Sequence, residues 1–291
     1  MKDKITLAII SSPGHSGQTW LSLLVGSHSH ALALGEIATI YGLRDLSKVC
    51  MLCGEGCDFW KEFNKVWKSE ENIFPQLAAF SNKHLLSISG IGKYSKHITH
   101  DNLIVKVIRL IRDGRAVTAS YFRKYPERTY EDIIRQWVYG SNVIDNWIAE
   151  ISPENRMTLR YEDLLKDTAI WMNKVCAFLE IDFEVDMMKF WKVKHHIVSG
   201  NRGTLSFVQR QFGLGFDPVD KNFYALQDPN SFKDERWRRE LSRYHLYLFE
   251  KIGGNLNEQY GYNSIEKASK FSHAARYFLV RSIQCLKKII S

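Results

Sequence analysis

The chain has 291 residues, 45% hydrophobic and 25% charged, which is the balance of a globular protein with one large domain or two modest ones. Its formal net charge of +8 favours anionic partners, among them nucleotides, sulfated or phosphorylated molecules, nucleic acid and acidic membrane. Low complexity, internal repeats and long linkers are excluded; the opening "MKDKITLAII" has too short an apolar run for a secretory leader, and no stretch is long enough to span a bilayer. A cytoplasmic protein, or one on the cytoplasmic face of a membrane, is expected.

Ile5–Ile10 reads as a buried strand, a short apolar run bounded by turn residues. A Gly-rich turn, "SSPGHSGQ", follows, and Gln18–Ser27 reads as a helix. Leu85–Ser89 reads as a second strand. "LIVKVIRLI" (Leu103–Ile111) is the clearest buried strand, rich in β-branched residues. Ala116–Lys124 and Tyr130–Glu150 read as helices, the second with Ile133, Ile134, Trp137, Val138, Val143, Ile144 and Trp147 at helical spacing. Met157–Arg160 reads as a strand, followed by a helix to about Leu179. Val198–Asp228 has no clean period and reads as loops, and Asp234–Ile252 reads as one helix. Strands alternating with helices predict an α/β fold with a short parallel sheet covered on both faces by many helices.

The last segment stands apart, giving a division into residues 1–264 and 265–291. On a helical projection Phe271, Ala275, Phe278, Leu279, Leu286, Ile289 and Ile290 share one face, and Lys270, His273, Arg276, Lys287 and Lys288 lie mostly on the other. A terminal helix docked on its own domain or on a second copy is one reading. A basic amphipathic helix lying on an anionic membrane is the other.

Five cysteines are no secreted disulfide framework, because the number is odd and only three cluster. Cys50, Cys53 and Cys57 form a C-x2-C-x3-C turn that can hold a metal, but zinc usually takes a fourth protein ligand and the next cysteine, Cys176, is far away. The reading is therefore a Cys-rich turn with reduced thiols or one local disulfide, and no metal site.

Two segments carry chemistry. The turn after the first strand has the placement of a nucleotide-triphosphate loop, strand then Gly-rich turn then helix N-terminus, which suits a phosphate group. Against the G-x-x-x-x-G-K-[ST] pattern, Ser12 stands at the first glycine and Gln18 at the lysine, so the charge that neutralises β- and γ-phosphates is missing. The loop predicts an anion site without predicting ATP hydrolysis. In the second segment, "RDGRAVTAS", Arg112 sits at the tip of the Leu103–Ile111 strand and Ser120 lies eight residues on, within the next helix. An arginine and a hydroxyl so placed can grip one phosphate; an Arg112–Asp113 ion pair with Ser120 on the surface is the alternative. Two anion grips at the carboxyl ends of parallel strands suit a nucleotide phosphorylated at two positions.

These two segments resemble the 5′-phosphosulfate loop and the 3′-phosphate motif of sulfotransferases that use 3′-phosphoadenosine-5′-phosphosulfate (PAPS). "CMLCGEGCDFW" is similar to a Cys-rich insertion of bacterial members, and "LRYEDLLKD…FLEI", "HHIVSGNRG" and "RWRRELS" resemble further family segments, from about Ile5 to about Tyr262. The resemblance implies a P-loop-like three-layer α/β fold, a PAPS cosubstrate and no obligatory metal. It implies a cofactor loop of Pro13, Gly14, His15, Ser16, Gly17, Gln18, Thr19 and Trp20, with the N–H groups of Gly14–Thr19 around the 5′-phosphosulfate. Arg112 and Ser120 take the 3′-phosphate, and Asn201 and Arg202 close over the nucleotide, with His196 orienting that segment. Glu36 is the implied general base, against a role as the cap of the helix "EIATIYGL"; His28 and His30 are the next candidates, against caps at a helix C-terminus. Lys93 stands where relatives carry a lysine that neutralises the transferring group, against an ordinary loop lysine. His15 stands where the family usually has Lys or Arg, so its charge depends on protonation.

The implied activity is transfer of a sulfuryl group from PAPS to a hydroxyl or amine. The acceptor is left open among lipid-linked, glycan and peptidyl molecules. A P-loop nucleotide kinase or NTPase is the second reading, opposed by Gln18. A non-catalytic nucleotide-binding protein docked to membrane is the third. Nucleic-acid binding is not expected, because no aromatic-and-basic module appears. Oligomeric state is not legible.

Overall fold

The computed structural model describes residues 4–90, 98, 100–214, 221–229 and 233–264. Lys93 and the 265–291 segment, with its amphipathic pattern, lie outside the described residues. The chain divides into two compact units, one of Met1–Ile111 with Val143–Lys233, the other of Arg112–Asn142 with the chain from Asp234 onward.

The first unit is built on five parallel strands: β1 (Ile5–Ser11), β2 (Ala31–Gly35), β3 (Leu85–Ser89), β4 (Leu103–Ile111) and β5 (Arg156–Arg160), in the order β2-β3-β1-β4-β5. The expected parallel α/β sheet is present. β1 is central because its run of Leu7, Ala8, Ile9 and Ile10 is fully buried, and a strand covered on both faces needs apolar residues at successive positions. The register pairs Ile10 with Ser89 on one side and Ser11 with Arg109 on the other. From β1 the chain crosses toward β2 and β3; from β4 it moves the other way, to β5. The carboxyl ends of β1 and β4 are therefore the switch point at which α/β sheets hold ligands.

Helices α1 (Gln18–Gly26), α2 (Asp58–Val66), α3 (Ile73–Ser81), α6 (Tyr161–Lys166), α7 (Thr168–Leu179), α8 (Arg202–Phe212) and α9 (Lys221–Ala225) belong wholly to this unit. α2 and α3 bury Trp60, Phe63, Phe74 and Leu77, each worth about 1.5–3 kcal/mol of transfer from water. β4 carries two buried cations, and both are paired: Lys106 Nζ lies 2.9 Å from Glu180 Oε1, and Arg109 Nε donates to Asp145 Oδ1 at 2.7 Å. Without those partners a buried charge would be prohibitive.

The second unit holds α4 (Gly114–Lys124), α10 (Trp237–Glu240) and α11 (Arg243–Gln259) around Val117, Ile134, Trp137, Leu248 and Phe249. α5 (Tyr130–Ala149) contributes its residues up to Asn142 to this unit and the rest to the first. No described helix is long and apolar enough to cross a membrane.

Three expectations are corrected. Val198–Asp228 is not all loop: Asn201 caps α8 by accepting from Thr204 N–H at 3.0 Å, and Leu205, Phe207 and Val208 bury its inner face. The expected single helix at Asp234–Ile252 is two, because Ser242 adopts extended backbone and caps α11 through His245 N–H. The helix after β5 is likewise interrupted at Asp167, whose carboxylate caps α7 through Ile170 N–H.

Candidate active site

The turn after β1 is closed by side chains that the sequence places there for shape. His15 and Gly17 have φ of 65° and 98°, left-handed conformations that turn neighbouring N–H groups toward a common side. Gly17 is required twice over. Its φ suits only glycine, and a Cβ there would lie 2.6 Å from the Tyr161 ring. Tyr161, at the start of α6, also meets Trp20 edge-on at 5.6 Å, so the "RYED" segment forms one wall of the loop. Gln18, standing where a triphosphate loop has lysine, donates from Nε2 to the Ser12 carbonyl at 2.6 Å. Its amide ties the turn together at the position where a cation would meet phosphate.

The segment 195–201 runs past the carboxyl end of β2 and links several expected residues. Val198 N–H donates to Leu34 carbonyl, and Glu36 N–H to Ser199 carbonyl at 3.2 Å. A Cβ on Gly35, whose φ is +70°, would lie 2.1 Å from that same Ser199 oxygen, so glycine permits the close crossing. Ser199 Oγ donates to Glu36 Oε2 at 3.3 Å. Two residues on, Asn201 N–H donates to Thr19 Oγ1 at 2.8 Å. The structure thus joins Glu36, Ser199, Asn201 and Thr19 through one strand-like segment. Ser199 and Tyr161 lie within the quoted "HHIVSGNRG" and "LRYEDLLKD" segments, but their contacts with Glu36 and Gly17 carry no signal in the sequence.

The alternatives for these residues can be weighed on contacts. Glu36 is exposed and stands at the start of a 3-10 turn, Ile37–Ile40, but makes no side-chain cap; its carboxylate goes to Ser199 instead. His28 is 4% exposed. Its Nδ1 accepts from His30 N–H at 3.0 Å and its Nε2 lies 3.0 Å from the Asp182 carbonyl, so both nitrogens are engaged and the ring proton sits on Nε2. His30 is exposed and lies 4.7 Å from the His84 ring. Asn201 spends its side chain capping α8, and Arg202 is the exposed first residue of that helix.

In the second unit, Arg112 precedes Asp113, the N-cap of α4, and is 8% exposed. The expected alternative of an Arg112–Asp113 ion pair is not what Asp113 does. Its carboxylate accepts from Arg115 Nη2 at 2.7 Å and Nε at 2.9 Å, and from the Arg115 and Asn257 amides. Arg112 Nη2 instead donates to the Asp234 carbonyl at 2.9 Å. Burial would raise the Asp234 pKa, but the hydrogen bond and charge of Arg236, with Arg112 and Arg123 nearby, hold it below the usual carboxylate range. Ser120 is half-buried in α4.

A model of the sulfotransferase domain family matches residues 6–199. This chain is a sulfotransferase-family protein. The matched region contains the β1 turn, Glu36, Arg112, Ser120 and Tyr161. The family protein is also 25% identical over 179 residues to a 3-beta-hydroxysteroid sulfotransferase of Cavia porcellus, covering 52% of this chain and 61% of that protein's length. Its fold is that of the sulfotransferase domain from the curacin biosynthetic pathway, with TM-score 0.59, 20% identity and coverage of 87% of this chain and 97% of that one. The sulfotransferase domain of the Synechococcus PCC 7002 olefin synthase is similar to the same degree, with TM-score 0.60, 20% identity, and 90% and 97% covered.

Proposed function

We propose that this protein transfers a sulfuryl group from PAPS to an acceptor hydroxyl or amine by in-line displacement. The observation that carries the reading is the β1 turn tied through Thr19 and Asn201 to the segment that holds Glu36. A backbone cradle for an anion and a carboxylate are thereby fixed to one piece of chain. The Tyr161 ring packed against Gly17 walls one side of the turn, and the N–H groups of such a turn suit a phosphosulfate. Gln18, bonded to Ser12, opposes the kinase or NTPase reading.

In this proposal the N–H groups of Gly14–Thr19 hold the 5′-phosphosulfate, with Pro13 and Trp20 flanking them. Arg112 and Ser120 hold the 3′-phosphate. Glu36 accepts the acceptor's proton as the acceptor oxygen or nitrogen bonds to sulfur. The bond from sulfur to the bridging oxygen breaks, and adenosine 3′,5′-bisphosphate leaves. His15, when protonated, and Lys93 offset the charge that develops on that oxygen. Arg202 covers the nucleotide, and no metal ion takes part in the transfer. The relative named for a hydroxysteroid supports an alcohol as acceptor. The basic pattern of 265–291 supports a lipid-linked or membrane-side one, on the cytoplasmic face.

Sulfur-labelled PAPS incubated with the protein and a host extract tests this directly: a labelled product is expected. Glu36→Ala separates an enzyme from a nucleotide-binding protein. Labelling falls by about 10²–10⁴-fold for a lost general base while bisphosphate affinity is kept. Equal product from wild type and Glu36→Ala, or none from either, overturns the assignment.

A further inference from the structure

The C-x2-C-x3-C turn lacks a fourth ligand in its own neighbourhood, and the fold supplies one. His196, 139 positions beyond Cys57, points Nδ1 at the sulfurs, 3.2 Å from Cys57 Sγ and 3.8 Å from Cys53 Sγ. The ligand atoms of Cys50, Cys53, Cys57 and His196 all lie within 4.8 Å of one another. We propose that these four residues bind a single zinc ion in a closed, structural Cys3His site.

The distances fit such an ion. With Zn–S of about 2.3 Å and Zn–N of about 2.0–2.1 Å, a tetrahedron has S···N edges of about 3.6 Å and S···S edges of about 3.8 Å. A multi-iron cluster would need the ligands further apart. Four thiolate and imidazole donors are soft ligands of the kind that select zinc over magnesium or calcium. All four positions are filled by protein, which leaves no open coordination site, so the ion organises structure and takes no part in transfer.

The surroundings are those of a built site. Cys53 N–H points at Cys50 Sγ, 3.4 Å away, a contact that orients a thiolate. The Phe59 ring stacks on His196 at 4.8 Å and 7°, and Trp60 Nε1 donates to the His196 carbonyl at 2.6 Å, so ring and backbone of the ligand are both held. Cys50 and Cys57 are buried.

Zinc would be held by three thiolates and a neutral imidazole, with the thiol and imidazole protons released to solvent on binding and no change of oxidation state.

Placement gives the ion its consequence. It staples the turn 50–57, where the one described element is a short 3-10 turn, Gly54–Gly56, to His196. Met51 N–H donates to Ile197 carbonyl, and Ser199 and Asn201 follow. The staple therefore anchors the segment that meets Glu36 and Thr19.

The test is metal analysis of the purified full chain after dialysis against zinc and then zinc-free buffer. About one zinc per chain is expected, falling to background in Cys57→Ser and His196→Ala and persisting in His196→Cys, which restores four donors. Cobalt(II) in place of zinc should give thiolate-to-cobalt charge transfer and the strong visible bands of a tetrahedral site. A wild-type chain without zinc, zinc retained by both disrupting variants, or a disulfide within the turn on intact-mass analysis overturns the proposal. If the disrupting variants do not fold, the cobalt spectrum of the wild type decides, since the absence of thiolate bands overturns it equally.

Discussion

Ser199 holds Glu36 at two points: its carbonyl accepts the Glu36 N–H at 3.2 Å, and its hydroxyl donates to the Glu36 carboxylate at 3.3 Å. The backbone contact fixes where residue 36 stands; the hydroxyl contact fixes which way its carboxylate faces. Ser199→Ala removes only the second. One hydrogen bond to an exposed carboxylate is worth about 1 kcal/mol, and residue 199 is not the proton acceptor. A fall in kcat of about 3–10-fold is expected, with KM for PAPS unchanged and Ser199→Thr close to wild type. A loss in Ser199→Ala as large as in Glu36→Ala would move the base assignment away from Glu36.

Gly17 and Tyr161 form a second coupled pair. A Cβ at position 17 would lie 2.6 and 2.8 Å from two ring carbons of Tyr161, at a φ of +98°. Gly17→Ala has to rebuild the turn, at about 1–3 kcal/mol for the backbone alone. Reduced thermal stability and weakened bisphosphate binding by calorimetry are expected together. Tyr161→Leu removes the ring, so the penalty of Gly17→Ala should shrink in that background, a non-additivity of about 0.5–3 kcal/mol. Strict additivity would show that the ring does not shape the loop.

How far such pairs are legible follows from sequence distance. β1 and β4 are plain because buried β-branched runs have no other good conformation. β2 is not, since "ALALG" is short and lacks β-branched residues; its place comes from pairing with β3 and from the crossing at Ser199. α8 begins at a capping Asn201 whose role shows only once Thr204 folds back onto it. The β1 turn and Arg112 are legible as candidates because each belongs to a local pattern, and Glu36 is a candidate through the family resemblance. Ser199, Tyr161 and the His196 contact with the cysteines are long-range partners, set by the order of strands and invisible to spacing.

Tyr130 reports on the second unit. Its hydroxyl lies 2.8 Å from Thr118 Oγ1, and burial pushes its pKa well above the usual phenol range, with the Thr118 hydrogen bond opposing. An acid whose folded pKa lies above its unfolded value of about 10 stays protonated in the folded state after the unfolded chain has ionised. Its contribution to stability is therefore intact below about pH 10 and declines as pH rises above that. At pH 11 the linked loss is about 1 kcal/mol. The fall in unfolding free energy from pH 9 to pH 11, read from urea denaturation, should be about that much smaller in Tyr130→Phe. An unchanged alkaline slope would show that residue 130 ionises in the folded protein as it does in the unfolded chain.

His15 is expected to set the pH dependence of the proposed transfer. It occupies the left-handed region at φ 65°, which histidine tolerates better than most non-glycine residues, and it stands in the turn proposed to hold the phosphosulfate. Arginine there is permanently charged, whereas an imidazole assists a departing phosphate only while protonated. Bound anions favour the protonated ring, so the assisting charge is present at low pH and lost as pH rises. Wild-type kcat should therefore fall as pH rises through neutrality. His15→Arg should remove that descending limb and keep the rate at alkaline pH, with some loss of stability because arginine tolerates the left-handed region less well than histidine. His15→Gln, which cannot carry charge, should be slow across the whole range with no descending limb. Parallel profiles for the wild type and His15→Arg would mean that residue 15 holds the loop's shape and contributes no charge to transfer.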